Sequence, residues 1–113
     1  MRQYMIALGL AAGFAVPVDA QEWDGRYELD ACSGGLSAET RIELRWPQIR
    51  FYESVCQLSA PEPIAGLGDA VIADATCQGE GETWTRRILF MTSLDGGLVM
   101  VRDGLALTYA RCG

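Results

Sequence analysis

Arg41-Ile42-Glu43-Leu44-Arg45-Trp46 alternates charged and apolar side chains without a break. Ile42, Leu44 and Trp46 fall on one face, and Arg41, Glu43 and Arg45 on the other. Successive side chains of an extended chain point to opposite sides, so this stretch is a half-buried β-strand. Pro47 follows, biases Trp46 toward extended geometry and ends the strand. The next apolar stretch, Ile49–Leu58 (IRFYESVCQL), is aromatic and β-branched, and is expected to return beside the first as a hairpin.

The same pattern extends in both directions. Upstream, Trp23–Asp30 (WDGRYELD) offers a strand at Arg26–Leu29, followed by the turn formers Ser33-Gly34-Gly35-Leu36-Ser37. Downstream, Ser59–Ala70 (SAPEPIAGLGDA) has two prolines and two glycines and reads as a loop, either a crossover or a contact surface. Val71–Gln78 then places Val71, Ala73, Ala75 and Cys77 on one face. Gly79-Glu80-Gly81-Glu82 turns into Thr83–Met91, and Asp95-Gly96-Gly97 turns into Leu98–Arg102. Asp103-Gly104 is a two-residue hairpin signal leading to a last strand, Leu105–Cys112. Seven short strands with turn signals between them, and no helical periodicity, predict an all-β fold: a small antiparallel barrel or sandwich.

The first twenty residues belong to a different grammar. Arg2 precedes Met5–Val16, a twelve-residue uncharged run, then Pro17 and the small-residue pattern Val18-Asp19-Ala20. As a helix the run would span about 18 Å, short of a bilayer core of about 30 Å. The segment 1–20 is read as a signal peptide cleaved before Gln21, leaving residues 21–113 as one exported domain, periplasmic or secreted. No cysteine closely follows the apolar run, so a lipid anchor is not expected.

Cys32, Cys56, Cys77 and Cys112 all lie in the exported part, at spacings of 24, 21 and 35 residues. Structural zinc sites use close cysteine pairs, so this spacing favours two disulfides over a metal. Three connectivities are possible. The nested one, Cys56–Cys77 with Cys32–Cys112, is expected: it joins neighbouring strands and ties the last strand to the first.

Composition limits the chemistry. The 113 residues carry nine basic side chains, all arginine, against fifteen acidic ones, with no histidine and a net charge of −6. Nucleic acid and anionic membrane surfaces are poor partners for such a chain. Without His or Lys the serines lack an activating base, and no G-x-S-x-G elbow is present. No cofactor or metal is expected, and the domain is expected to be a monomer. Glu53, in Phe51-Tyr52-Glu53-Ser54-Val55, is the one candidate acid, but an outward or Arg-paired carboxylate explains it more simply. Glu80, Glu82 and the nearby Asp74 lack the ligand order of a calcium loop. Arg86 shares a face with Trp84, whereas Arg87 does not. Glu80, Glu82, Trp84 and Arg86 together form the candidate binding surface.

Two resemblances accompany these readings. Trp23-Asp24-Gly25-Arg26-Tyr27, then Cys32, then Ile49-Arg50-Phe51-Tyr52-Glu53-Ser54-Val55-Cys56 resembles small exported bacterial β proteins with a W-x-G-x-Y opening and an aromatic-Glu-Ser-x-Cys strand. In size, export, cross-linking and acidity the chain is also similar to periplasmic lysozyme inhibitors. Ser33-Gly34-Gly35-Leu36-Ser37 begins like their S-G-x-x-Y inhibitory loop but lacks the Tyr. The resemblance implies a disulfide-stapled β domain that works by binding. The leading expectation, motivated by the −6 charge on a rigid cross-linked scaffold, is a non-enzymatic exported domain that binds a cationic protein through its acidic surface, as an inhibitor or adaptor does; acidity that serves only to keep the domain soluble is an equal reading. The alternatives are an apolar small-molecule binder using a barrel mouth, and last a hydrolase using Glu53.

Overall fold

The computed structural model describes residues 22–34, 36 and 38–113. The expected signal segment and the Gly35 and Ser37 positions lie outside them. Eight antiparallel strands form a closed up-and-down barrel. In chain order they are β1 (Gly25–Leu29), β2 (Arg41–Arg45), β3 (Gln48–Arg50), β4 (Val55–Pro63), β5 (Val71–Gly79), β6 (Glu82–Thr92), β7 (Leu98–Arg102) and β8 (Leu105–Arg111). A single 3-10 turn, Ala38–Thr40, precedes β2. Every strand pairs with its sequence neighbours, and Leu29↔Tyr109 and Tyr27↔Arg111 close β1 onto β8. Among the described residues no helix is long and apolar enough to cross a membrane.

The all-β expectation holds, with eight strands where the sequence suggested seven. The stretch read as one strand, Ile49–Leu58, is two. β3 ends at Arg50, Phe51–Ser54 makes a tight turn with the Phe51 N–H donating to the Ser54 carbonyl at 2.8 Å, and β4 begins at Val55. The expected loop Ser59–Ala70 is also half strand, because β4 continues to Pro63. One extra residue is accommodated between Ser59 and Glu62, where the register slips, and Ala60 there has φ of +51°. Pro61 falls in that irregularity, where a missing N–H is tolerated. Only 64–70 forms the connection.

Period-two patterning places Tyr27, Ile42, Leu44, Ile49, Cys56, Leu58, Ile88, Phe90, Leu98 and Met100 inside. The narrow lumen is filled by matching size across strands: Val71 opposes Phe90, Ala73 opposes Ile88, Ala75 opposes Arg86 and Cys77 opposes Trp84. The small side chains of β5 thus leave room for the large ones of β6 to lie across the axis. Both expected disulfides are present: Cys56–Cys77 joins directly opposed residues of β4 and β5 inside the barrel, and Cys32–Cys112 spans 80 residues.

The Cys32–Cys112 bridge holds the chain after β1 back against the outer wall. Ser33 donates both its N–H (3.0 Å) and its hydroxyl (2.6 Å) to Oε1 of Glu28, and Arg41 Nε stands 3.7 Å from Oε2. Glu28 is therefore buried although it points away from the lumen. These partners, the Ser33 hydrogen bonds first, stabilise the ionised carboxylate and lower its pKa.

The two ends of the barrel differ. One carries Trp23, the Trp46–Pro47 turn, the 64–70 connection and the 93–97 turn, and it is stoppered. Trp23 and Trp46 pack on Phe90 with ring centroids 6.0 and 6.1 Å away. Trp23 Nε1–H donates to Thr92 Oγ1 at 3.0 Å, and Tyr27 donates its hydroxyl proton to the Trp23 carbonyl at 2.6 Å. Asp69 accepts from the backbone N–H and the hydroxyl of Thr92, fastening one connection to the neighbouring strand.

Candidate binding site at the open end of the barrel

The opposite end gathers the 30–40 segment and the three hairpin tips at 51–54, 80–81 and 103–104. Alternation carries polar residues inward here. Continuing the inward phase of Phe90 and Ile88 up β6 reaches Arg86 and Trp84, and that of Leu98 and Met100 up β7 reaches Arg102. Instead of a plug, Arg86, Arg102 and Phe51 line a recess of about 400 Å³, walled also by Leu29, Ile42, Leu107 and Tyr109 and by the polar residues of the 39–41 and 52–54 segments.

The two arginines converge on one acid. Arg86 Nη1 lies 3.1 Å and Arg102 Nη1 3.4 Å from the same oxygen, Oδ2 of Asp103, at the β7–β8 tip. The Arg102 guanidinium also stands 5.5 Å from the Phe51 ring centre, and that of Arg86 5.8 Å from the Trp84 ring. Burial pushes the Tyr109 hydroxyl pKa up, and the adjacent Arg102, by charge and hydrogen bond, pulls it partly back. Three buried donors nevertheless have no acceptor: Nε of Arg86, Nε of Arg102 and Nε1 of Trp84. Buried N–H groups are paired in the great majority of cases, so three on adjoining strands mark a place where polar groups are held ready without being satisfied.

The rim beside this recess is acidic. Glu53, Ser54, Gly79, Glu80, Glu82 and Trp84 line a second, shallower depression of about 280 Å³. Glu53 is hydrogen-bonded to Glu80, and that bond, the charge of Glu80 and some desolvation raise its pKa above the ordinary value. Gly79 makes the approach possible, because a Cβ on it would run into the backbone carbonyl of Glu53.

Of the sequence-selected residues, Glu80, Glu82 and Trp84 meet in the shallow depression, while Arg86 turns into the deeper one beside it. Arg86 and Trp84 share a face, as alternation required. Asp74 does not join the glutamates; it sits on the outer wall, 3.1 Å from Arg87 Nε. Among the described residues no three His, Cys, Asp or Glu side chains come together as a metal site. Glu53 lies in an exposed turn instead of within an aromatic strand, and its pKa rises chiefly through Glu80. Sequence reasoning did not find Phe51, Arg102 and Tyr109 as lining residues. For Arg102 a signal existed, since it continues the Leu98, Met100 phase.

Fold and site together define a small disulfide-bonded, eight-stranded β barrel with one stoppered and one open end. No family model, no curated protein and no solved structure matches the chain.

Proposed function

We propose that this chain is an exported, non-enzymatic binding domain and that its ligand enters the open end of the barrel. The carrying observation is the asymmetry of the two ends: Trp23, Trp46 and Phe90 fill one, and a recess of about 400 Å³ lined by both apolar and charged side chains occupies the other. That volume is toward the lower end of the range that takes small molecules. The lumen below it is packed, so the ligand sits in the mouth and not along the axis. Two disulfides support an oxidising compartment, periplasmic or extracellular, and agree with the export reading of residues 1–20.

The test is a nuclear magnetic resonance titration of the oxidised protein with two eight-carbon probes, octanamide and octanoate. Shifts confined to Leu29, Phe51, Arg102, Leu107 and Tyr109, with Trp23 and Trp46 unmoved, are the expected result. No shifts with either probe, or shifts scattered over the outer wall, would end this reading.

A second reading, a cationic protein partner, is favoured by the Glu53–Glu80 contact. Two carboxyls held together on an exposed rim beside Glu82, in a chain of charge −6, attract a basic surface and relieve their own repulsion on binding it. The class similarity to lysozyme inhibitors makes a lysozyme the first partner to try. Binding that weakens steeply with salt and disappears in the Glu53→Gln, Glu80→Gln double variant supports it; salt-independent binding refutes it.

A further inference from the structure

We infer that the recess at the open end contains a carboxylate subsite formed by Arg86 and Arg102, so that its ligand is a monocarboxylate with an apolar body. The inference rests on the open end being the binding site and names the chemistry of what enters it.

The guanidinium groups are only partly used, although Arg102 also hydrogen-bonds the Tyr109 hydroxyl. Each gives its Nη1 to Oδ2 of Asp103, and each leaves its Nε without an acceptor. Arginine binds carboxylates best through a two-pronged edge, in which Nε–H and a terminal N–H donate in parallel. Asp103 leaves the Nε-containing edge of both side chains unpaired, with Nε itself under the recess surface, so a carboxylate meets the terminal nitrogen of that edge first and reaches Nε as the lining side chains move aside. Around the guanidinium groups themselves two positive charges face one negative, that of Asp103, while Glu39, Glu53 and Arg41 stand elsewhere on the recess wall. Each arginine side chain is about one-fifth exposed, 21% and 20%, so the guanidinium ends reach the recess while the Nε atoms lie beneath its surface. The Nε1–H of Trp84, on the same inward face as Arg86, is also unpaired.

The surroundings select among anions. Glu39 and Glu53 line the same recess, and Glu80 stands against Glu53. A rim of this sign opposes a dianion more than a monoanion, which disfavours phosphate and sulfate esters. The apolar part of the remaining wall, Leu29, Ile42, Phe51, Leu107 and Tyr109, suits an aliphatic or aromatic body behind the charged head. Ala75, opposite Arg86, keeps the space below that arginine free of a competing side chain. Small residues on β5 thus do at the mouth what they do in the core, with a guanidinium as the large partner.

The experiment is calorimetric titration of the oxidised wild-type protein with octanoate, octanamide and octyl phosphate, which share a chain and differ in the head. Octanoate is expected to bind at least tenfold more tightly than octanamide and more tightly than octyl phosphate. Arg102→Gln is expected to bring octanoate down to the affinity of octanamide while leaving octanamide unchanged. Equal affinities for octanoate and octanamide would overturn the carboxylate subsite and leave the open-end reading intact. Tighter binding of octyl phosphate would replace the carboxylate by a dianion and likewise overturn it. Binding of no probe would remove the open-end reading and this inference with it. The wild-type comparison stands even if the Arg102 variant fails to fold.

Discussion

Removing the two disulfides one at a time is the sharpest test of how this barrel is held. Loop length alone ranks them: closing 80 residues through Cys32–Cys112 restricts the unfolded chain by about 4.5 kcal/mol, and closing 21 residues through Cys56–Cys77 by about 3 kcal/mol. The structure alters that ranking. Cys56 and Cys77 are 1% and 0% exposed, so replacing both by Ala deletes two sulfurs from the packed lumen. With a lost apolar contribution of about 0.8 kcal/mol per methylene-sized group, plus the residual cavity, this adds about 2 kcal/mol. The Cys56→Ala, Cys77→Ala variant should then lose about 5 kcal/mol, no less than the Cys32→Ala, Cys112→Ala variant. Serine separates the two mechanisms. At 32 and 112, near the surface, Ser and Ala should agree within about 0.5 kcal/mol. At 56 and 77, Ser should be worse than Ala by about 1–3 kcal/mol, because hydroxyls enter a dry lumen. The assay is urea unfolding of the oxidised variants followed by tryptophan fluorescence, compared at a common slope. Indistinguishable Ser and Ala variants at 56 and 77 would refute the placement of that bridge in the core. A loss below about 1 kcal/mol for Cys32→Ala, Cys112→Ala would refute the loop-entropy argument.

Three further outcomes follow from the same geometry. Phe90→Ala removes the ring on which Trp23 and Trp46 pack and should destabilise by about 3–5 kcal/mol, read as lost near-ultraviolet circular dichroism and a lower urea midpoint. The pH profile should carry two opposite carboxylate signatures. Glu28 has its folded pKa lowered, so its stabilisation is complete above the unfolded value near 4.5 and is lost as pH falls through the folded one. Glu53 has its folded pKa raised, so its contribution is complete below the unfolded value and is lost as pH rises through the folded one. Glu53→Gln should therefore unfold at higher temperature than wild type at pH 7 and equally at pH 3, whereas Glu28→Gln should unfold at lower temperature at pH 7; thermal melts at the two pH values check both. Gly79→Ala should push the Phe51–Ser54 turn away from the Glu80 tip and lower the Glu53 pKa toward its ordinary value, measurable from carboxyl resonances during a pH titration.

How much of this was legible in the sequence depends on how far apart the interacting residues lie. The alternation in Arg41–Trp46 fixed strand, face and core residues at once, because period two is a local property. Evenly spaced turn signals led to an all-β barrel or sandwich without choosing between them, and the nested cysteines followed from joining neighbouring strands and joining the last strand to the first. The missed turn at Phe51–Ser54 left a local trace. Ile49 and Cys56 both point inward although they are seven residues apart, and an odd separation within one continuous strand would put them on opposite faces. Composition hid this, since aromatic and β-branched residues run through the turn. The Glu53–Glu80 contact left no such trace. It depends on two tips 27 residues apart meeting at one end, which requires the register between β4 and β5. Glu28 was hidden similarly, because its burial comes from the folded-back segment at Ser33 and not from its own strand.

Closure of β1 onto β8 has a consequence for partnership. An open sheet offers unpaired backbone N–H and C=O groups at its borders, and a foreign strand can join there by main-chain hydrogen bonds alone, whatever its side chains. Where the strands pair on both sides that indiscriminate route is shut; a short border remains where β6 runs past β7, since only Leu89–Thr92 of β6 pair with it. Over the rest of the wall, a molecule this domain binds must be chosen by side-chain chemistry. Selectivity can therefore be rewritten by exchanging a few residues at the hairpin tips without redesigning the barrel beneath them.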